Sequence, residues 1–172
     1  MLSPPREQAL RDFALAQTGW PAAARWRPLP GHAGGRRYFR LCHDDRSLIC
    51  VDAPPAVSNT PAFTFVRERL EQSGMRVPAL YALDAAQGFM VLEDLGEQWL
   101  FDVLDLAAPA PDYAGALPLL HRLQAVDPAG LPPYSADVLE EELSRFPTWF
   151  CEGFLGLALS PQARAVLSGL NT

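Results

Sequence analysis

Along residues 36–42 side chains two apart share a face; from about residue 98 onward apolar positions recur every third or fourth residue. The first period is that of strands and the second that of amphipathic helices. Residues 36–42 read as a strand with Arg36, Tyr38 and Arg40 on one face and Arg37, Phe39 and Leu41 on the other. HDDR, residues 43–46, is a turn. SLICV, residues 47–51, is nearly all apolar and reads as a central strand, so the pair is expected to form a hairpin. Upstream, Leu10, Phe13 and Ala14 make a short apolar stripe. It implies a helix capped by Ser3, with Pro4 and Pro5 in its first turn and Gly19 at its end. RWRPLP, residues 25–30, fits an edge strand, because proline removes a ladder donor.

Downstream, Ala53-Pro54-Pro55 breaks the sheet. Thr60 is expected to cap a helix with Pro61 at its first position, Phe63, Val66 and Leu70 as its buried stripe and Gly74 as its stop. A short strand is expected within residues 77–84. Gln87-Gly88 then turns the chain into FMVLEDL, residues 89–95. Only helical periodicity follows, over about residues 98–105, 112–126, 135–155 and 161–169, the last opened by Ser160-Pro161. The expected fold class is α+β: a small antiparallel sheet with one inserted helix, then helices alone. The expected division is 1–96 and 97–172.

A length of 172 residues suits one domain or one and a fraction. The net charge is −6, and all 14 basic residues are arginine. Nucleic-acid binding leaves a basic footprint, so no nucleic-acid partner is expected. The apolar runs are too short for a membrane span, and the polar start MLSPPREQAL carries no signal-peptide core. Cys42, Cys50 and Cys151 lack metal-ligand spacing, and His32 and His43 lie in turns without a partner set, so no metal site is expected. Structural thiols in a reduced, cytoplasmic chain fit this usage.

The candidate chemistry lies in GHAGGRRYFRL, residues 31–41. Gly34 and Gly35 let a backbone approach a ligand without a Cβ clash. Arg36, Arg37 and Arg40 offer planar donor forks to phosphate oxygens. Read locally, the stretch fits a glycine turn with solvated arginines better than an anion site.

GGRRYFR (34–40), LICVDAPP (48–55), GFMVLEDLG (88–96) and LPPYSADVLEEELSRFPTWF (131–150) together resemble the aminoglycoside phosphotransferase-like family of kinases. Within it they look most like bacterial sugar kinases that phosphorylate N-acetylmuramate and N-acetylglucosamine at the anomeric carbon. The resemblance covers roughly residues 5–165. It implies a kinase N-lobe running into a helical C-lobe, ATP as donor, Mg²⁺, a sugar or other hydroxylated acceptor, and cytoplasmic cell-wall recycling. Where related loops favour Asp and Ser, this chain has His32 and Gly34.

The resemblance also assigns candidate roles. A kinase's third strand normally carries a lysine for the donor phosphates, paired with a glutamate on the next helix. Here Asp52 stands near that place. Arg37 or Arg40 is expected to replace the lysine, paired with Asp52 or with Glu68. Asp52 fits equally a cap of the Ala53-Pro54 turn. Glu93, Asp94 and Leu95 are the candidates for backbone contact with adenine in the connector between lobes. Trp99, Phe101, Phe146, Trp149, Phe150 and Phe154 are expected to be core rather than a sugar platform. His121 is expected to be structural.

The family's His-x-Asp-x-x-x-x-Asn loop and later metal-binding Asp do not occur in the 172 residues, so no catalytic or metal residue is assigned. The chain is therefore expected to be the first part of a kinase, unable alone to transfer phosphate. Its apolar helix faces are expected to meet a dimer mate or a further C-terminal segment. Two other functions remain open on the sequence: a non-catalytic nucleotide- or protein-binding module on a kinase-like scaffold, and an aminoglycoside-modifying phosphotransferase.

Overall fold

A computed structural model describes residues 4–30, 34–104 and 113–169. The expected Ser3 cap, His32 and the stretch near residues 105–112 lie outside the described residues. The chain divides into two compact units, Met1–Val126 and Asp127–Thr172.

The first unit is built on a five-stranded antiparallel sheet in the order β1-β2-β3-β5-β4. Its strands are β1 (Arg25–Pro28), β2 (Arg37–His43), β3 (Arg46–Asp52), β4 (Leu80–Asp84) and β5 (Phe89–Glu93). The proline-containing β1 lies at an edge and the apolar β3 at the centre, as the pattern implies. β2 and β3 close with His43 opposite Arg46, leaving Asp44 and Asp45 as a two-residue turn. Asp44 takes a φ of 51°, a conformation aspartate tolerates and hairpin turns demand. At the other end of the sheet Gly88 has a φ of 70°, and a Cβ there would lie 1.9 Å from the Ala53 carbonyl oxygen. Glycine is required at this crossing.

Helix α1 (Pro4–Thr18) covers one face of the sheet. Its Leu10 and Ala14 pack with Phe39, Leu41, Leu48, Cys50, Phe89 and Val91 into the main core. Burial pushes the Cys50 thiol up to about 12, so it is a packing group rather than a reactive one. The other face carries a second cluster, Val51, Ala53, Met90 and Leu92, with Tyr38, Ile49, Leu80 and Phe63 of α2 (Thr60–Gln72) against it.

Two details of α2 differ from expectation. Its cap is Asn59, whose Oδ1 accepts the Ala62 N–H at 2.9 Å, and Thr60 is the first helical residue, 2% exposed. Asparagine one residue earlier reaches the free N–H of the first turn, and the helix then places Thr60 inward. The stripe is also less buried than expected: Phe63 and Leu70 are half-buried and Val66 is 37% exposed. These side chains line a groove beside Pro78 instead of filling a core.

Helices follow β5: α3 (Leu100–Val103) and α4 (Ala116–Gln124) in the first unit, α5 (Ala136–Arg145) and α6 (Pro161–Gly169) in the second. The expected single helix over 135–155 changes at Phe146 into a π-helical turn, Phe146–Phe154. Pro147 lacks the N–H that an α-helical ladder would use there. Phe146, Phe150 and Phe154 stack in sequence, with centroids 5.4 and 5.8 Å apart. Phe146, Trp149, Phe150 and Phe154 are nonetheless exposed rather than core, as is Trp99 of the first unit, contrary to expectation. The stack buries ring faces against one another but leaves the outer edges of all three rings exposed. Among the described residues no helix is long and apolar enough to cross a membrane, and no three His, Cys, Asp or Glu side chains cluster to hold a metal ion.

Candidate functional site

Strand alternation sends neighbouring arginines of β2 to opposite faces. Arg37 lies on the α1 face with Asp52, the fully buried end of β3. Arg6 of α1 is the closer partner: its Nε donates to Asp52 Oδ1 at 2.8 Å, while Arg37 Nη2 donates to Oδ2 at 3.5 Å. Arg37 also approaches Glu7 at 3.7 Å, and Arg6 reaches the Gln87 carbonyl. Both guanidinium groups lie over rings of the main core, Arg6 over Phe89 at 4.8 Å and Arg37 over Phe39 at 5.2 Å. The network ties the first turn of α1 to the end of the sheet from which the glycine loop emerges.

Arg40 lies on the other face. Its side chain, 9% exposed, makes a bidentate pair with Asp94, 5% exposed: Nε to Oδ2 at 2.5 Å and Nη2 to Oδ1 at 2.9 Å. The same Nη2 donates to the Gly96 carbonyl at 3.2 Å, and Glu97 closes on Arg40 and Arg27. Asp94 in turn accepts the Gly96 N–H at 2.9 Å. Burial pushes the Asp94 carboxyl up, but hydrogen bonds from Arg40, Ser47 and the Gly96 N–H outweigh it and hold the group below its ordinary value. A planar fork gripping a carboxylate fixes position as well as charge. Arg40 thus clamps the connector that leaves β5.

That connector borders a cavity of about 650 Å³ on the face opposite α1. Tyr38, Ile49 and Leu92 line it from the sheet; Pro30, Pro78 and Trp99 line its sides. Its walls are mainly apolar, with polar groups gathered at residues 93–97, as in small-molecule sites generally. Of the connector candidates, Glu93 uses its backbone N–H on the Ala79 carbonyl. Its carboxylate is taken by Arg76 at 2.5 Å and by the Ala79 N–H at 3.0 Å, which together hold it down at about 2. Leu95 is different. It is 63% exposed, and among the described residues no hydrogen bond engages its backbone. It can offer both a donor and an acceptor to the edge of a flat heterocycle.

At the far end of β2, Gly34 and Gly35 are exposed. A Cβ at Gly35 would lie 2.8 Å from Val57 Cγ2, so the loop passes close to the turn after Pro54-Pro55. Arg36 places its guanidinium over the Phe63 ring at 5.2 Å, on the same side of the sheet as Tyr38 and Arg40. Glu68 is exposed on α2 and forms no ion pair with Arg37 or Arg40.

The candidates therefore separate. Arg40, Glu93, Asp94 and Leu95 line the cavity; Gly34, Gly35 and Arg36 lie at the loop end of the same face; Arg37 and Asp52 meet on the opposite face; Glu68 joins neither group. Arg37 does pair with Asp52, but away from the cavity. The residue of β3 beside Ile49 on the cavity side is Val51, packed against Met90 and Leu92. Sequence reasoning missed Arg6 as the main partner of Asp52. The contact spans 46 residues, and no local signal carries it. Tyr38 was legible on one face of its strand with Arg36 and Arg40, though not as a cavity wall, and Ile49 and Leu92 only as apolar strand residues.

No protein-family model matches the chain. It is 40% identical over 162 residues to the N-acetylmuramate/N-acetylglucosamine kinase of Pseudomonas aeruginosa, covering 92% of this chain and 48% of that protein. It is 32% identical over 134 residues to the protein of the same name from Pseudomonas putida, covering 77% and 40%. For that of Neisseria meningitidis serogroup B the figures are 30% over 135 residues, covering 75% and 40%. The chain is similar to bacterial N-acetylmuramate/N-acetylglucosamine kinases. It spans less than half the length of these relatives.

Proposed function

We propose that the chain is the nucleotide-binding part of an ATP-dependent sugar kinase acting on N-acetylmuramate or N-acetylglucosamine, in cytoplasmic cell-wall recycling. The observation that carries this reading is the cavity between the sheet and the connector, together with relatives that bear that kinase name. Its size and apolar lining suit a purine, and the Leu95 backbone supplies the polar edge. The glycine loop lies at the other end of β2, where a phosphate chain extending from the base would run.

ATP with Mg²⁺ would supply the transferable phosphoryl group and the charge neutralisation that transfer needs. The residues of this chain bind and orient the donor. The acceptor hydroxyl's base and the Mg²⁺ ligands come, in this reading, from further polypeptide. Such polypeptide, or a second copy of the chain, would also cover the exposed apolar faces of α4 and of the second unit.

The test is calorimetric titration of the 172-residue chain with Mg-ATP and with adenosine. Both are expected to bind, and ATP at a hundred times its Kd is expected to stabilise the fold by about 2.7 kcal/mol. Binding of neither would overturn the reading. Acceptor choice is then tested in a longer protein by comparing N-acetylmuramate with kanamycin.

One observation favours a second reading, a non-catalytic module. Val51 occupies the cavity face of β3 where a kinase lysine is expected, and the chain has no lysine. Stabilisation by a protein partner without any response to nucleotide would select it.

A further inference from the structure

We infer that Arg36 is the arginine that holds the donor phosphates in place of the strand lysine. The inference rests on the nucleotide reading of the cavity and names the charge that reading lacks. Three arginines lie at the end of the loop or on β2, and their surroundings separate them. Arg37 is on the α1 face and is drawn to Asp52 and Glu7. Arg40 is on the cavity face, but Asp94, Glu97 and the Gly96 carbonyl take its donors at the connector end. Arg36 is on the cavity face at the loop end and, among the described residues, has no carboxylate within ion-pair distance.

Its position follows from the strand. Tyr38 lines the cavity, and two residues back along an extended chain is roughly 7 Å. Arg36 therefore stands about that far beyond the cavity wall, directly after Gly34 and Gly35. It lines the adjoining groove, which shares Pro78 with the cavity. The Phe63 ring beneath its guanidinium orients the planar fork without consuming its N–H donors. A cation so held is half-buried, seated on the Phe63 ring and without a carboxylate partner among the described residues, so its donors are open to a phosphate. The lysine-like function has thus moved from β3, where Val51 is packed into the second core cluster, to the loop-proximal end of β2.

The test measures Kd for Mg-ATP and for adenosine with the unmodified chain, Arg36→Ala, Arg36→Lys and Arg46→Ala. Arg46 is exposed at the hairpin turn, stacks on Trp20 and controls for net charge. Arg36→Ala is expected to weaken ATP binding roughly ten- to hundredfold and leave adenosine unchanged. Arg36→Lys should recover part of the loss, and Arg46→Ala should behave like the parent. ATP binding that survives Arg36→Ala overturns the inference while the nucleotide reading stands. Equal loss of ATP and adenosine also overturns it, since that marks a structural role. If the parent chain binds neither ligand, the nucleotide reading fails and the inference fails with it.

Discussion

The two faces of the sheet use one set of strands in opposite ways. On the α1 face Phe39, Leu41, Phe89 and Val91 are at most 2% exposed, and the buried carboxylate of Asp52 is matched by Arg6 and Arg37. On the other face Tyr38 and Ile49 remain half-buried around a cavity, and Arg40 grips the connector instead of the core. One face is closed by α1; the other is packed around Val51 and Met90 and stays open beside Tyr38 and Ile49. The arginines show what separates them. Arg36, Arg37 and Arg40 have the same chemistry, but strand parity and the nearest partner give them three different surroundings: the Phe63 ring, Asp52 and Asp94.

The contrast predicts unequal costs. Phe89→Ala, in the closed face, is expected to lose about 4 kcal/mol of stability, against about 1 kcal/mol for Ile49→Ala at the cavity wall. Urea denaturation of both variants checks this, and equal losses would break the distinction between faces. Next in size, Asp52→Ala leaves Arg6 and Arg37 facing each other without their shared counter-ion. A loss of about 2 kcal/mol is expected, discounted because Arg6 is partly exposed. If only the nucleotide Kd moved and the fold did not, Asp52 would belong to the open face after all.

Arg40→Met sharpens the comparison from the other side. Releasing the connector should weaken ATP and adenosine together, by roughly tenfold, because both use the base-binding edge. A loss confined to ATP would move Arg40 to the phosphate end. The smallest effect is expected at Glu93, on the rim. Its carboxyl is held at about 2 in the folded chain, below its ordinary 4.5, by Arg76 and the Ala79 N–H. The folded state then binds fewer protons, so the contribution is full above pH about 4.5 and is lost as pH falls toward 2. Glu93→Gln should flatten the fall in Tm over that window; an unchanged slope would show that the Arg76 pair contributes nothing there.

Much of the architecture was legible in the chain. The strand period placed Phe39 and Leu41 together, the prolines of RWRPLP put that strand at an edge, and SLICV reads as central because both its faces are apolar. Gly74, Gly88 and Ser160 marked ends and turns that the structure keeps. The cap of α2 was misplaced by one residue, because Asn59 and Thr60 both have capping side chains and only the backbone path chooses between them. The helix 135–155 was read as one element because its apolar period runs past Pro147, where the backbone bonds change spacing.

What the sequence determined by itself is the alternation: which side chains share a face, where turns must fall, and that every cation is an arginine. Periodicity is local, and its consequences reach only as far as a strand or helix. Only the tertiary structure decided which face closes and what each charge meets. Arg6 reaches Asp52 across 46 residues, and Arg40 reaches Asp94 across 54. Such pairings depend on strand order and on where α1 lies, and those are set by burial summed over the whole sheet rather than by any short stretch of residues.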